Sequence, residues 1–80
     1  MRFPSRETVD ILRSRYPVGC RVQLDRMDDA QAPPTGTLGT VIGVDDIGSI
    51  MVAWDSGGSL SVAYGEDACH VVGQQGVRNG

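Results

Sequence analysis

The sequence predicts a mainly β fold: a small five-stranded barrel preceded by a short N-terminal α-helix. Ile50, Val52 and Trp54 alternate with Ser49, Met51 and Ala53, and Leu60, Val62 and Tyr64 alternate with Ser59, Ser61 and Ala63, the period of strands with one apolar face. The turn signals Asp45-Asp46-Ile47-Gly48 and Asp55-Ser56-Gly57-Gly58 separate these runs, so Gly36 to Leu60 reads as three strands joined by two hairpins. The helical period occurs near the start of the chain, where Val9, Leu12 and Tyr16 share one narrow stripe.

Taken in order, residues 1–4 are expected to be flexible and residues 5–72 to form one domain, with its helix over 5–16. Ser5 is placed to cap a helix running from Arg6 to about Arg15, with Glu7 in the first turn and arginines in the last, as the helix dipole favours. Pro17 and Gly19 stop it. Ten or so residues make a marginal helix alone, so the stripe must dock on the barrel. Ile11 lies off the stripe, and Arg6 and Arg13 share a neighbouring face.

Cys20, Val22 and Leu24 alternate with Arg21, Gln23 and Asp25 as a first strand ending near Met27. Asp28 to Thr35 carries two acids and two prolines without an apolar period, which predicts a long exposed loop. In the second strand Leu38, Val41 and Val44 fall three apart while Ile42 intrudes, and a bulge near Gly39 or Gly43 reconciles that pattern. After Tyr64 the turn Gly65-Glu66-Asp67 leads to a fifth strand, Ala68 to Val72, and residues 73–80 have the composition of a disordered tail. A helix, five short strands, a long first loop and tight later turns together suggest an SH3-like barrel.

Composition narrows the classes. With 80 residues, 40% apolar and 21% charged, the chain is one ordinary globular domain, and at this size folding buries only about 60% of the surface the unfolded chain exposes. No apolar run approaches the ~20 residues needed to cross a bilayer, and no signal-peptide pattern opens the chain, so the expectation is a cytoplasmic monomer with no membrane association. Two cysteines, Cys20 and Cys69, are too few for a disulfide framework and read as free thiols; a bridge between first and last strands stays open. Net charge is −3, unevenly spread. Residues 1–26 hold six arginines against three acids, a net of +3, and residues 27–80 hold one arginine against seven acids, a net of −6. Either the molecule neutralises its own poles, or a basic arm lies beside an acidic docking surface.

The segments Tyr16-Pro17-Val18-Gly19-Cys20-Arg21-Val22-Gln23-Leu24, Arg26-Met27-Asp28-Asp29, Ala32-Pro33-Pro34-Thr35-Gly36-Thr37, Gly39-Thr40-Val41, Val44-Asp45-Asp46 and Trp54-Asp55 resemble a bacterial domain-of-unknown-function family, number 4314, over roughly residues 5–72. The resemblance implies an SH3-like barrel found in bacterial chromosomes and mobile elements, with no established activity. The chain departs from the family pattern at Gly57-Gly58, where a single glycine is more usual. A weaker likeness, through Gly39-Thr40-Val41, Val52-Ala53-Trp54-Asp55-Ser56-Gly57 and Tyr64 with Asp67, is to the peptide-binding, substrate-recognising barrels of large ubiquitin ligases. Those residues are mostly turns and core, so the likeness bears on fold rather than function.

No enzyme, cofactor or metal site is expected. Cys69 and His70 are neighbours in a strand and point to opposite faces, which separates the only histidine from its nearest nucleophile. Cys20, Cys69 and His70 lack the spacing of a zinc knuckle, and the pairs Asp28-Asp29 and Asp45-Asp46 lack that of a calcium loop. A protein or peptide partner, of basic character, is the leading expectation, with Met27, Asp28, Asp29, Pro33, Pro34, Trp54 and Tyr64 as binding residues. Trp54, in strand alternation with Ile50 and Val52, is of a kind that is core more often than site. The alternatives are nucleic-acid association through Arg6 and Arg13, disfavoured by the acidic barrel, and an acidic mobile-element inhibitor of a host nucleic-acid enzyme.

Overall fold

The computed structural model describes residues 5–72. The expectations for residues 1–4 and 73–80 lie outside the described residues. The elements are α1 (Arg6–Arg15), β1 (Arg21–Arg26), β2 (Leu38–Val44), β3 (Ser49–Trp54), β4 (Val62–Ala63) and β5 (Ala68–Val71). All five strands join one antiparallel sheet in the order β4-β3-β2-β1-β5. Its edge strands β4 and β5 contact each other, so the sheet curls around its apolar face. The mainly β expectation, with five strands and one short helix, holds.

α1 forms where its local signals place it. Ser5 Oγ accepts from Thr8 N at 3.1 Å, Glu7 lies in the first turn and Arg13 and Arg15 in the last. Val9 and Leu12 are buried and Tyr16 packs against the core, while Ile11 stays exposed. The docked stripe completes a core made of Val22, Leu24, Val41, Val44, Ile50, Val52, Trp54 and Val62.

The bulge expected in the second strand occurs between Val41 and Gly43, and it leaves Ile42 exposed on the outer side. Gly39 stands opposite Trp54, and a Cβ there would meet Val52 Cγ1 at 2.5 Å and Trp54 Cε3 at 2.8 Å. Glycine at this position therefore lets β2 approach the tryptophan. At the first hairpin Asp45 Oδ1 accepts from Ile47 N at 3.1 Å and Ser49 N at 2.8 Å, so this one carboxylate closes the turn.

The fourth strand is shorter than the alternation from Leu60 to Tyr64 predicts. Only Val62 and Ala63 pair with β3, opposite Ile50 and Ser49. Trp54 accounts for the loss, because its Nε1 donates to the Leu60 carbonyl at 2.9 Å and its N donates to the Gly58 carbonyl at 3.1 Å. These bonds tie Gly58 and Leu60 to the tryptophan instead of to a regular ladder.

Cys20 and Cys69 are both free. The strands are neighbours, as expected, but Cys69 lies opposite Leu24, four residues from Cys20. Strand rise makes that about 13 Å, well beyond the ~7 Å Cα separation a disulfide spans.

Candidate functional site

A cleft of about 260 Å³ opens beside Trp54, between the β1–β2 loop and the segment that follows β3. Gln31 and Pro33 form one wall, and Ser56 to Leu60 form the other. The first wall is shaped by local bonds. Asp29 Oδ1 accepts from Gln31 N at 2.8 Å, Ala32 N donates to the Asp29 carbonyl at 3.0 Å, and Thr37 Oγ1 donates to the Pro34 carbonyl at 2.6 Å. The second wall is shaped by Gly57 and Gly58, whose φ values of +107° and +84° lie in the region that favours glycine.

The predicted binding residues divide. Pro33 and Trp54 line the cleft, and Asp29 holds the residue that lines it. Trp54 is only 4% exposed, so it acts as core and as the cleft floor, with its one donor already taken by Leu60. Asp28 and Pro34 are exposed on the same loop without lining the cleft. Met27 packs against the core from the end of β1, and Tyr64 is exposed at the far end of β3, where its N donates to the Gly48 carbonyl at 3.3 Å. The structure does not bring those two to the cleft. Gln31 falls within the Asp28 to Thr35 loop expected to carry binding, though not among its named residues, while Ser56, Gly57, Gly58, Ser59 and Leu60 lie outside that expectation; the doubled glycine after Trp54-Asp55-Ser56 is the one sequence signal that marks that wall as unusual.

Beside the cleft, Arg21 of β1 reaches across the sheet and forks onto Asp55, with NH1 donating to Oδ1 at 2.8 Å and to Thr40 Oγ1 at 2.9 Å, and NH2 donating to Oδ2. The guanidinium holds the Asp55 carboxyl below its ordinary value, through hydrogen bonding first and charge second. This clasp fixes the residue that precedes Ser56, and so anchors the second wall.

The arginines of the alternative site are placed differently. Arg6 and Arg13 line a separate hollow of about 290 Å³ with Val9 and Asp46. Arg13 Nε donates to the Val44 carbonyl at 3.1 Å, and its NH2 donates to Asp46 Oδ1 at 2.8 Å. Arg26 donates to the Glu66 carbonyl at 3.2 Å. Arg13 and Arg21 are thus paired with Asp46 and Asp55, two acids from the other half of the chain.

On the outer face of the sheet His70 Nδ1 lies 2.8 Å from both carboxylate oxygens of Asp25. Cys69, on the inward side, has its thiol pushed up to about 11, by burial first and by Asp25 and Cys20 second. That removes it from nucleophilic chemistry near neutral pH. Among the described residues no group of three His, Cys, Asp or Glu side chains gathers as a metal site, and no helix is long and apolar enough to cross a membrane.

No curated protein and no solved structure matches the chain. The family described as Domain of unknown function (DUF4314) matches residues 5–72, the helix and all five strands, and the chain belongs to that family.

Proposed function

We propose that the protein is a small non-enzymatic binding module that takes a basic protein or peptide segment in the cleft beside Trp54. The carrying observation is the cleft itself, walled by a proline-containing loop and a glycine-rich turn over an aromatic floor. At about 260 Å³ it is smaller than the ~300–1,000 Å³ typical of small-molecule sites, and it suits one or two side chains of a longer ligand. Asp29 lies against Gln31 at its rim and Asp28 precedes it, which favours a cationic residue in the partner. The sheet order with β5 beside β1 supports an SH3-like barrel, and the two free thiols suit a reducing, cytoplasmic setting for a monomer. Nucleic-acid association is less favoured, since Asp46 holds Arg13.

Fluorescence anisotropy with a panel of labelled lysine- and arginine-containing peptides tests the reading. Ser59→Trp, which fills the cleft, is expected to abolish binding, Asp29→Asn to weaken it, and Arg6→Ser to leave it unchanged. Binding that survives Ser59→Trp overturns the assignment. Binding of labelled DNA or RNA that falls steeply with salt and is lost in Arg6→Ser favours the nucleic-acid alternative.

A further inference from the structure

We propose that the partner enters the cleft as an added β-strand, paired through its main chain with the outer edge of the chain at Ser59 and Ser61. The ligand is then an extended peptide. This rests on the binding reading above and specifies how that site recognises its partner.

Main-chain groups after Trp54 alternate in the side to which they turn. Tyr64 N donates to the Gly48 carbonyl, so Val62, two residues back and paired with Ile50, also turns its N–H and C=O inward toward β3. The Gly58 carbonyl accepts from Trp54 N, and the Leu60 carbonyl accepts from Trp54 Nε1, so these residues also face inward. With Gly58, Leu60 and Val62 all turned inward, the residues between and after them, Ser59, Ser61 and Ala63, turn to the opposite, outer side.

Of those three, Ala63 is sealed. Its N donates to Asp67 Oδ2 at 2.9 Å, and its carbonyl accepts from Glu66 N at 3.0 Å and Asp67 N at 2.9 Å. Among the described residues the main-chain N–H and C=O of Ser59 and Ser61 have no partner. Ser59 and Ser61 lie in the extended approach to β4, the strand at one end of the sheet order, and no strand pairs with them. Open donors and acceptors on a strand edge are a template for another chain, and addition of a peptide strand is an established mode of recognition.

The facing wall suits such an occupant. Pro33 lacks an N–H and does not compete for the incoming main chain, while it offers an apolar surface to the side chains that alternate inward. Gln31 adds a side-chain amide at the mouth. The open edge spans Ser59 and Ser61, so about three or four ligand residues pair, and the neighbouring cleft receives one or two of their side chains.

A phage-displayed library of random seven-residue peptides, panned against the full chain, supplies the probe; selected peptides are synthesised and measured by anisotropy. Ser61→Pro removes one outer N–H that has no internal partner, so the fold is expected to stand, as checked by circular dichroism. The expected result is at least a tenfold loss of affinity in Ser61→Pro, and a similar loss for wild-type protein when alternate peptide nitrogens are N-methylated. The methylated peptides decide the matter even where Ser61→Pro fails to fold. Loss of binding in Ser59→Trp without an effect of N-methylation keeps the cleft as the site and overturns the strand pairing. Peptides insensitive to Ser59→Trp, or no selected peptide at all, overturn both readings. Concentration-dependent self-association that Ser61→Pro abolishes makes a second copy the occupant and overturns the proposal of a separate peptide.

Discussion

The two hairpins of the sheet begin with similar sequence signals and finish differently. In the first, β2 and β3 pair from Gly39 and Trp54 to Val44 and Ile50, and Asp45 alone satisfies the N–H groups of Ile47 and Ser49. In the second, β3 pairs with β4 over two residues, and the connection between them becomes a cleft wall. Both turns open with Asp and contain glycine. The difference is that Asp45 folds back onto its own turn, whereas Asp55 is held by Arg21 of β1, and Gly57 and Gly58 with positive φ carry the chain away from β3. A turn that satisfies itself closes a ladder, and one whose acid is held elsewhere leaves an edge open.

Trp54 serves both hairpins, so its removal has the largest expected effect. Trp54→Ala empties a buried aromatic site at a typical cost of ~3–5 kcal/mol and also frees the Leu60 carbonyl. Since domains of this kind are stable by only ~5–15 kcal/mol, thermal denaturation is expected to show a large loss of melting temperature. An unchanged melting temperature would mean that the indole is not core.

Gly39→Ala is expected to follow, destabilising by ~1–3 kcal/mol, since the new methyl enters the space of Val52 and Trp54 and the Ala53 carbonyl lies 3.0 Å away. Urea unfolding measures it, and a variant as stable as the wild type would show that β2 can recede. Asp45→Ala sharpens the contrast between the turns. Two N–H groups lose their acceptor, a loss of about 1–2 kcal/mol, and hydrogen exchange should speed up at Ile47 and Ser49 while Gly57 is unaffected.

The Arg21–Asp55 clasp is expected to have the smallest effect on stability, because both groups are solvent-exposed. Its sign is nonetheless defined. The folded carboxyl lies below its ordinary value of 3.8, so the clasp contributes fully above that value and is lost as pH falls through the depressed one. Asp55→Asn should therefore flatten the acid limb of the stability profile, and chemical shifts of Ser56 to Leu60 should move more on acidification in the wild type than in the variant. Equal acid limbs would show that the clasp does not hold the second wall.

Much of the fold was legible in the chain. The cap at Ser5, the apolar stripe of Val9 and Leu12, the alternation in β3 and the turn chemistry of Asp45 act over a few residues, so each element carries its own instructions. The bulge was legible too, because Ile42 breaks a pattern that the strand must absorb. The candidate site was legible only in part. Pro33 and Trp54 stood out as residue types, but nothing local distinguishes Gln31 or Ser59, and Met27 and Tyr64 were grouped with them although the sheet carries both away from the cleft.

By itself the sequence determined the order of the elements, the limits of the helix, the buried faces and the first turn, since those depend on periods of two or about 3.6 residues and on side chains that bond to nearby main chain. Which arginine meets which acid, how far Cys20 lies from Cys69, and where β4 begins are settled when the sheet closes. Those outcomes depend on register between strands and on partners separated by up to several tens of residues, as with Arg21 and Asp55 or Tyr16 and the Cys69 carbonyl. A shift of one residue in pairing would exchange the two faces of a strand without changing a letter of the sequence, so the cleft beside Trp54 exists only after the whole sheet has closed.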